Sequence, residues 1–117
     1  MGQPVVWFEV LGKNRDALVG FYSELFGWRA SPVDGWPYSM IDTGGEGGIG
    51  GGIGQPPEGA PGNVTFYVRV DDVGQTLTRV RQLGGTPVMG PMDMPDGSVT
   101  GLFSDPEGHI IGVHRSA

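Results

Sequence analysis

Two stretches sixty residues apart carry the same design. VVWFEV (Val5–Val10) and NVTFYVRV (Asn63–Val70) both alternate their side chains with a period of two, and Phe8-Glu9-Val10 matches Val68-Arg69-Val70. One face of each predicted strand is wholly apolar: Val6, Phe8 and Val10, then Val64, Phe66, Val68 and Val70. The other face is mixed: Val5, Trp7 and Glu9, then Thr65, Tyr67 and Arg69. After each strand the period becomes helical. In the first case Asn14 caps, Leu18, Phe21, Tyr22 and Leu25 fall on one stripe, and Gly27 closes. In the second Asp71 caps, Val73, Leu77 and Val80 form the stripe, and Gly84 closes.

Each helix is followed by short strand patterns. WRASPV and WPYSMIDT turn at Asp34-Gly35, and TPVMGPM, SVTGLFS and HIIGVH follow the second helix, with SDPEG turning between the last two. The chain is thus an internal repeat, strand–helix–strands twice. Either half is too small to bury its sheet face well alone. The expected fold is α+β: two βαβββ modules, related by a pseudo-twofold, forming a cupped mixed sheet with helices packed outside. Module 1 covers about 3–54, a linker about 55–62, and module 2 about 63–115, all in one domain of 117 residues. The apolar strand faces should pack on the helices, and the mixed faces should line the cup.

The stretch TGGEGGIGGGIGQPPEGAPG (Thr43–Gly62) is half glycine. Its Gly45–Gly50 portion fits G-x-G-x-x-G by letters, but Gln55-Pro56-Pro57 follows where a helix would have to start, so a dinucleotide fingerprint is rejected. Gln55–Gly62 is a Pro-Gly linker. GGIGGGIG is either a fourth strand, anchored by Ile49 and Ile53 and leaving room for a ligand, or a floppy loop.

The net charge is −6 with seven Lys and Arg, and no basic stripe exists, so nucleic acid and anionic membrane are poor partners. No apolar run approaches the length of a membrane span. The start has no basic n-region before an apolar stretch, so no signal peptide is expected. The chain has no Cys, which excludes disulfides, thiolate nucleophiles and thiolate metal sites. A cytoplasmic location is expected.

GFYSELFGW and FSDPEGHIIGVH, set in the doubled βαβββ order, resemble the vicinal oxygen chelate superfamily of glyoxalase I, extradiol dioxygenases, and fosfomycin- and bleomycin-resistance proteins. GGIGGGIGQPPEGAP before VTFYVRVDDV further resembles its glyoxalase-like single-domain branch. The resemblance implies a pocket in the cup and a homodimer. It also implies a test, since metal-using members place His, Glu or Gln at fixed cup positions. Those positions fall at Val5, Thr65 and Gly112, and the fourth falls in or near the glycine stretch, where Glu46 comes too early. None of the three is a usual divalent-metal ligand. No cofactor is therefore predicted; a divalent metal is the alternative, with Glu9 and His114 as its donors.

Trp7 and Tyr67 are the best binding candidates, since rings on a sheet face suit a flat or apolar ligand. Their bland alternative is core packing. Glu9 and Arg69 either grip polar groups of a ligand or form a structural ion pair. Thr65, Leu102, Gly112 and His114 complete the expected ligand-binding set, with Thr100 facing the cup beside Leu102. Glu9 and His114 are weak candidates for acid–base catalysis. Asp105 should serve the turn, His109 should face solvent, and Met92 and Met94 should lie on a loop that closes over the pocket. The expected function is binding of a small aromatic or amphipathic molecule without the superfamily's metal. A metal-dependent lyase, isomerase or dioxygenase is the alternative, and a non-catalytic partner domain is a third reading.

Overall fold

The computed structural model describes residues 2–117. The elements run β1 (Val5–Leu11), α1 (Arg15–Phe26), β2 (Arg29–Pro32), β3 (Tyr38–Asp42), β4 (Gly50–Gly54), β5 (Asn63–Arg69), α2 (Val73–Gln82), β6 (Thr86–Asp93), β7 (Val99–Ser104) and β8 (Ile110–Arg115). The fold is α+β, with βαβββ occurring twice, as the repeat predicts. The residues cluster into two compact units, Trp7–Thr65 and a second made of the first six residues with Phe66–Ala117. The division falls inside β1 and β5 rather than in the linker. One cause lies in the second unit, where the Arg69 backbone N–H donates to the Pro4 carbonyl at 2.9 Å and ties the start of the chain to β5.

In the Trp7–Thr65 unit the strand order is β2-β3-β4-β1. β1 and β4 are parallel, with Trp7 opposite Gly50 and Glu9 opposite Gly52, while β3 is antiparallel to both β2 and β4. The glycine stretch therefore does supply a strand. Asn14 caps α1, its side-chain oxygen accepting from Ala17 N at 3.0 Å, and Gly27 ends the helix at φ +73°. Trp28 joins the layers. Its ring lies 5.2 Å from Phe8 of β1, and 5.4 and 5.2 Å from Tyr22 and Phe26 of α1. The predicted α1 stripe is only partly used: Phe21 and Leu25 are each 58% exposed and Phe26 57%. The buried side chains of the unit include Ile41 and Ile53.

In the second unit the order is β5-β8-β7-β6, with β5 and β8 parallel and the others antiparallel. The core is Val70, Val73, Leu77 and Val113, with Val68, Val99 and Phe103 packed against it. Val73 and Leu77 bear out the α2 stripe, whereas Val64 and Phe66 are exposed where an apolar face was expected. The cap is Asp72, not Asp71: its carboxylate accepts from Gln75 N at 2.9 Å. Asp72 has the extended backbone an N-cap needs, and its side chain reaches the N–H three residues on. Met92 belongs to β6, paired with Thr100 of β7, so the expected Met loop is not a loop at that residue.

Candidate functional site

The two faces of the sheet in the second unit are fixed by what touches α2. Val113 is buried with Val73 and Leu77, and Val68 packs against them. A Cβ on Gly101 would meet Val73 Cγ1 at 2.9 Å and Leu77 Cδ1 at 3.1 Å. Val68, Gly101 and Val113 thus face the helix, and their strand neighbours face away from it. Those neighbours form two rows across paired strands. Arg69 stands opposite His114, and His114 opposite Thr100; Tyr67 stands opposite Gly112, and Gly112 opposite Leu102. Met92 and Met89 of β6 pair with Thr100 and Leu102 and extend the rows. The predicted set Tyr67, Arg69, Leu102, Gly112 and His114 is therefore brought onto one face, with Thr100 among them.

The Tyr67 ring lies directly over Gly112, and a Cβ there would collide with it. Arg69 is exposed, and among the described residues its guanidinium enters no ion pair and no side-chain hydrogen bond. That does not support the structural ion pair entertained for Arg69. Asp96 lies near enough to His114 to feel its charge. Its carboxyl is held below the usual range first by the Ser98 hydroxyl, at 2.6 Å, and then by the Ser98 backbone N–H.

The Trp7–Thr65 unit has a corresponding face. Phe8 points to Trp28 and α1, so Trp7 and Glu9 point the other way. Tyr38 joins them: its hydroxyl donates to Glu9 Oε2 at 2.9 Å and accepts from Trp7 Nε1 at 3.2 Å. This settles the inward face of β3, since Tyr38 and Met40 share it while Ser39 and Ile41 are buried on the other. Trp36 stacks on Tyr38 with ring centres 5.4 Å apart.

The room expected above the glycine strand is taken by these rings. A Cβ on Gly50 would stand 3.3 Å from the Trp7 ring. One on Gly52 would strike the Tyr38 hydroxyl, and one on Gly54 would lie 2.6 Å from the Tyr38 ring. On the opposite face a Cβ on Gly51 would strike Phe8. The strand is bare because the chain's own aromatics lie against it, not because a ligand needs the space. The sequence places Trp36, Tyr38 and Met40 on the third strand but leaves open which face of it is inward. The signal was present in the alternation Tyr38, Met40 against Ser39, Ile41, but short strands do not declare which face is inward.

The remaining positions are scattered. Val5 is 43% exposed, Thr65 is buried at 5% and held by other contacts, and Glu46 sits in the loop before β4. Among the described residues no group of three or more His, Cys, Asp or Glu comes together. Asp105 caps its turn, accepting from Glu107 N and His109 N at 2.9 Å each, and pairs with the exposed His109 ring at 3.0 Å. No helix among the described residues is long and apolar enough to cross a membrane. Two open grooves lie elsewhere, one of about 580 Å³ along Lys13 and Gln55–Pro61 and one of about 870 Å³ along α2, and neither is lined by a predicted site residue.

The profile of the Glyoxalase/Bleomycin resistance protein/Dioxygenase superfamily matches residues 5–113. The chain belongs to that superfamily. CFP32 of Mycobacterium tuberculosis, by name a glyoxylase, is 28% identical over 116 residues, covering 97% of this chain and 44% of its own. The anthracycline biosynthesis protein DnrV of Streptomyces peucetius is 31% identical over 127 residues, covering 93% of this chain and 46% of its own. The chain therefore spans about half the length of the curated relatives it matches. Among solved structures, methylmalonyl-CoA epimerase from Mycobacterium tuberculosis superposes with a TM-score of 0.68 at 14% identity, covering 97% of this chain and 87% of its own. A Streptomyces coelicolor methylmalonyl-CoA epimerase bound to 2-nitronate-propionyl-CoA gives 0.69 at 17%, covering 98% and 95%. At such identities the superfamily likeness to the epimerases is one of fold.

Proposed function

We propose that this superfamily member binds a small aromatic or amphipathic molecule on the sheet faces turned away from its helices, and does so without the superfamily's metal. The observation that carries the reading is Gly112. The resemblance assigns this position to a metal donor, yet it has no side chain and the Tyr67 ring lies across it. Val5 and Thr65, at the matching positions, add an alkyl group and a buried hydroxyl. Such a donor set does not fit a divalent ion that wants three or four N, O or S ligands. Aromatic and aliphatic side chains around a few polar groups do fit a small-molecule surface.

A second reading is favoured by the Tyr38–Glu9 hydrogen bond. A carboxylate held at a fixed place beside two rings is suited to moving a proton, as an isomerase or lyase requires. Elemental mass spectrometry after incubation with Zn²⁺, Ni²⁺, Mn²⁺ and Fe²⁺ and desalting separates metal-free binding from a metal-dependent form of that isomerase or lyase. Less than about a tenth of an equivalent of each agrees with binding alone, whereas near one equivalent, lost in Glu9→Gln or His114→Ala, would sink it. Cytoplasmic residence and a homodimer are part of the same proposal, and cell fractionation and light scattering test them.

A further inference from the structure

We propose that the sheet face of the Phe66–Ala117 unit takes an amphipathic organic anion, with its carboxylate on Arg69 and its apolar body along Leu102, Met89 and Met92. The inference rests on the binding reading above and narrows it to a ligand class. Four arginines belong to this unit: Arg69, Arg79, Arg81 and Arg115. Arg79 and Arg81 lie on α2, and Arg115 alternates with His114 and so takes the other side of β8. Arg69 alone lies on the ligand face. Most cations of this chain lack a carboxylate partner among the described residues, so what marks Arg69 is its place on this face, where its five donors match a carboxylate in fork geometry.

The neighbours set the rest of the ligand. His114 and Thr100 continue the Arg69 row and offer further polar atoms. Arg69, whose guanidinium is always charged, is the anchor for negative charge. One register step away, the row Tyr67–Gly112–Leu102–Met89 is apolar apart from the Tyr hydroxyl. Met89 and Met92 are 37% and 40% exposed, and their flexible thioethers adapt to ligands of varied outline. A ligand with one acidic end and a flat or aliphatic body satisfies both rows together.

The test compares 2-naphthoate with its neutral relative 2-naphthamide by calorimetry and by amide chemical-shift mapping. Naphthoate is expected to bind about tenfold more tightly than the amide, consistent with one charge-assisted contact. Arg69→Met should bring the two to parity with an unchanged melting temperature, because the guanidinium holds no partner. Arg69→Lys should keep part of the preference. Equal affinities in the unaltered protein, or a preference that survives Arg69→Met, would overturn the anion assignment. If both probes bind equally and shift Tyr67, Thr100 and Leu102, the assignment falls while the small-molecule reading stands. If neither binds, both fall.

Discussion

The Tyr38 hydroxyl is the joint of the Trp7–Thr65 face, donating to one side chain and accepting from another. Tyr38→Phe leaves the ring over Gly52 and Gly54 but strips a partly buried carboxylate of a donor. A loss of about 1–2 kcal/mol is expected, read as a lower urea midpoint with an unchanged slope. Asp105 acts on pH instead. Its carboxyl is lowered first by the His109 backbone N–H, then by the His109 side chain and Glu107 N–H. The stability it contributes is thus fully present above the unfolded value of about 3.9, and is lost as pH falls through the lower folded value. Asp105→Asn should flatten the acid limb of a melting-temperature–pH profile below about pH 4. An unchanged limb would show that Asp105 plays no part in it. Residues of this kind were half legible in the sequence. Asp105 was, because an Asp before Pro-Glu-Gly announces its turn. Tyr38 was not, because its partners come from a strand nearly thirty residues away.

At the scale of elements, β4 and α2 fail in opposite ways when changed. Gly52→Val drives a branched side chain into Tyr38 and should cost about 1–3 kcal/mol through overpacking. If the melting temperature is unmoved, the ring is not seated as described. Leu77→Ala empties a site that is 4% exposed and should cost about 2–5 kcal/mol. The strands and helices themselves were well marked by period, caps and turns. What misled was inference from an absent side chain: bare glycines read as ligand space, when the neighbouring strands β1 and β3 carry the rings that fill it. The cap at Asp72 rather than Asp71 is the familiar one-residue ambiguity of two adjacent Asp residues, settled by which carboxylate accepts from the Gln75 N–H.

At the scale of the whole molecule, α1 keeps Phe21, Leu25 and Phe26 more than half exposed along consecutive turns. A second copy of the chain is the occupant expected there. Light scattering should give twice the chain mass, and Leu25→Glu should halve it; a monomer in the unaltered chain would end the idea. The doubled βαβββ order was legible because its two first strands repeat the same alternation of an apolar and a mixed face, while the division into units through β1 and β5 was hidden in a backbone hydrogen bond to Pro4. The ring-on-glycine contact recurs at equivalent places, Trp7 with Gly50 and Tyr67 with Gly112, once in each unit. Its consequence concerns alignment during assembly. A strand of nearly featureless residues such as β4 could otherwise slide along β1 at little penalty. Slipped by one position, Ile53 would meet the Tyr38 hydroxyl where Gly52 now sits, and a glycine would replace Ile53 in the core. The first module thus carries its own vernier, and only one setting lets both the ring and Ile53 fit.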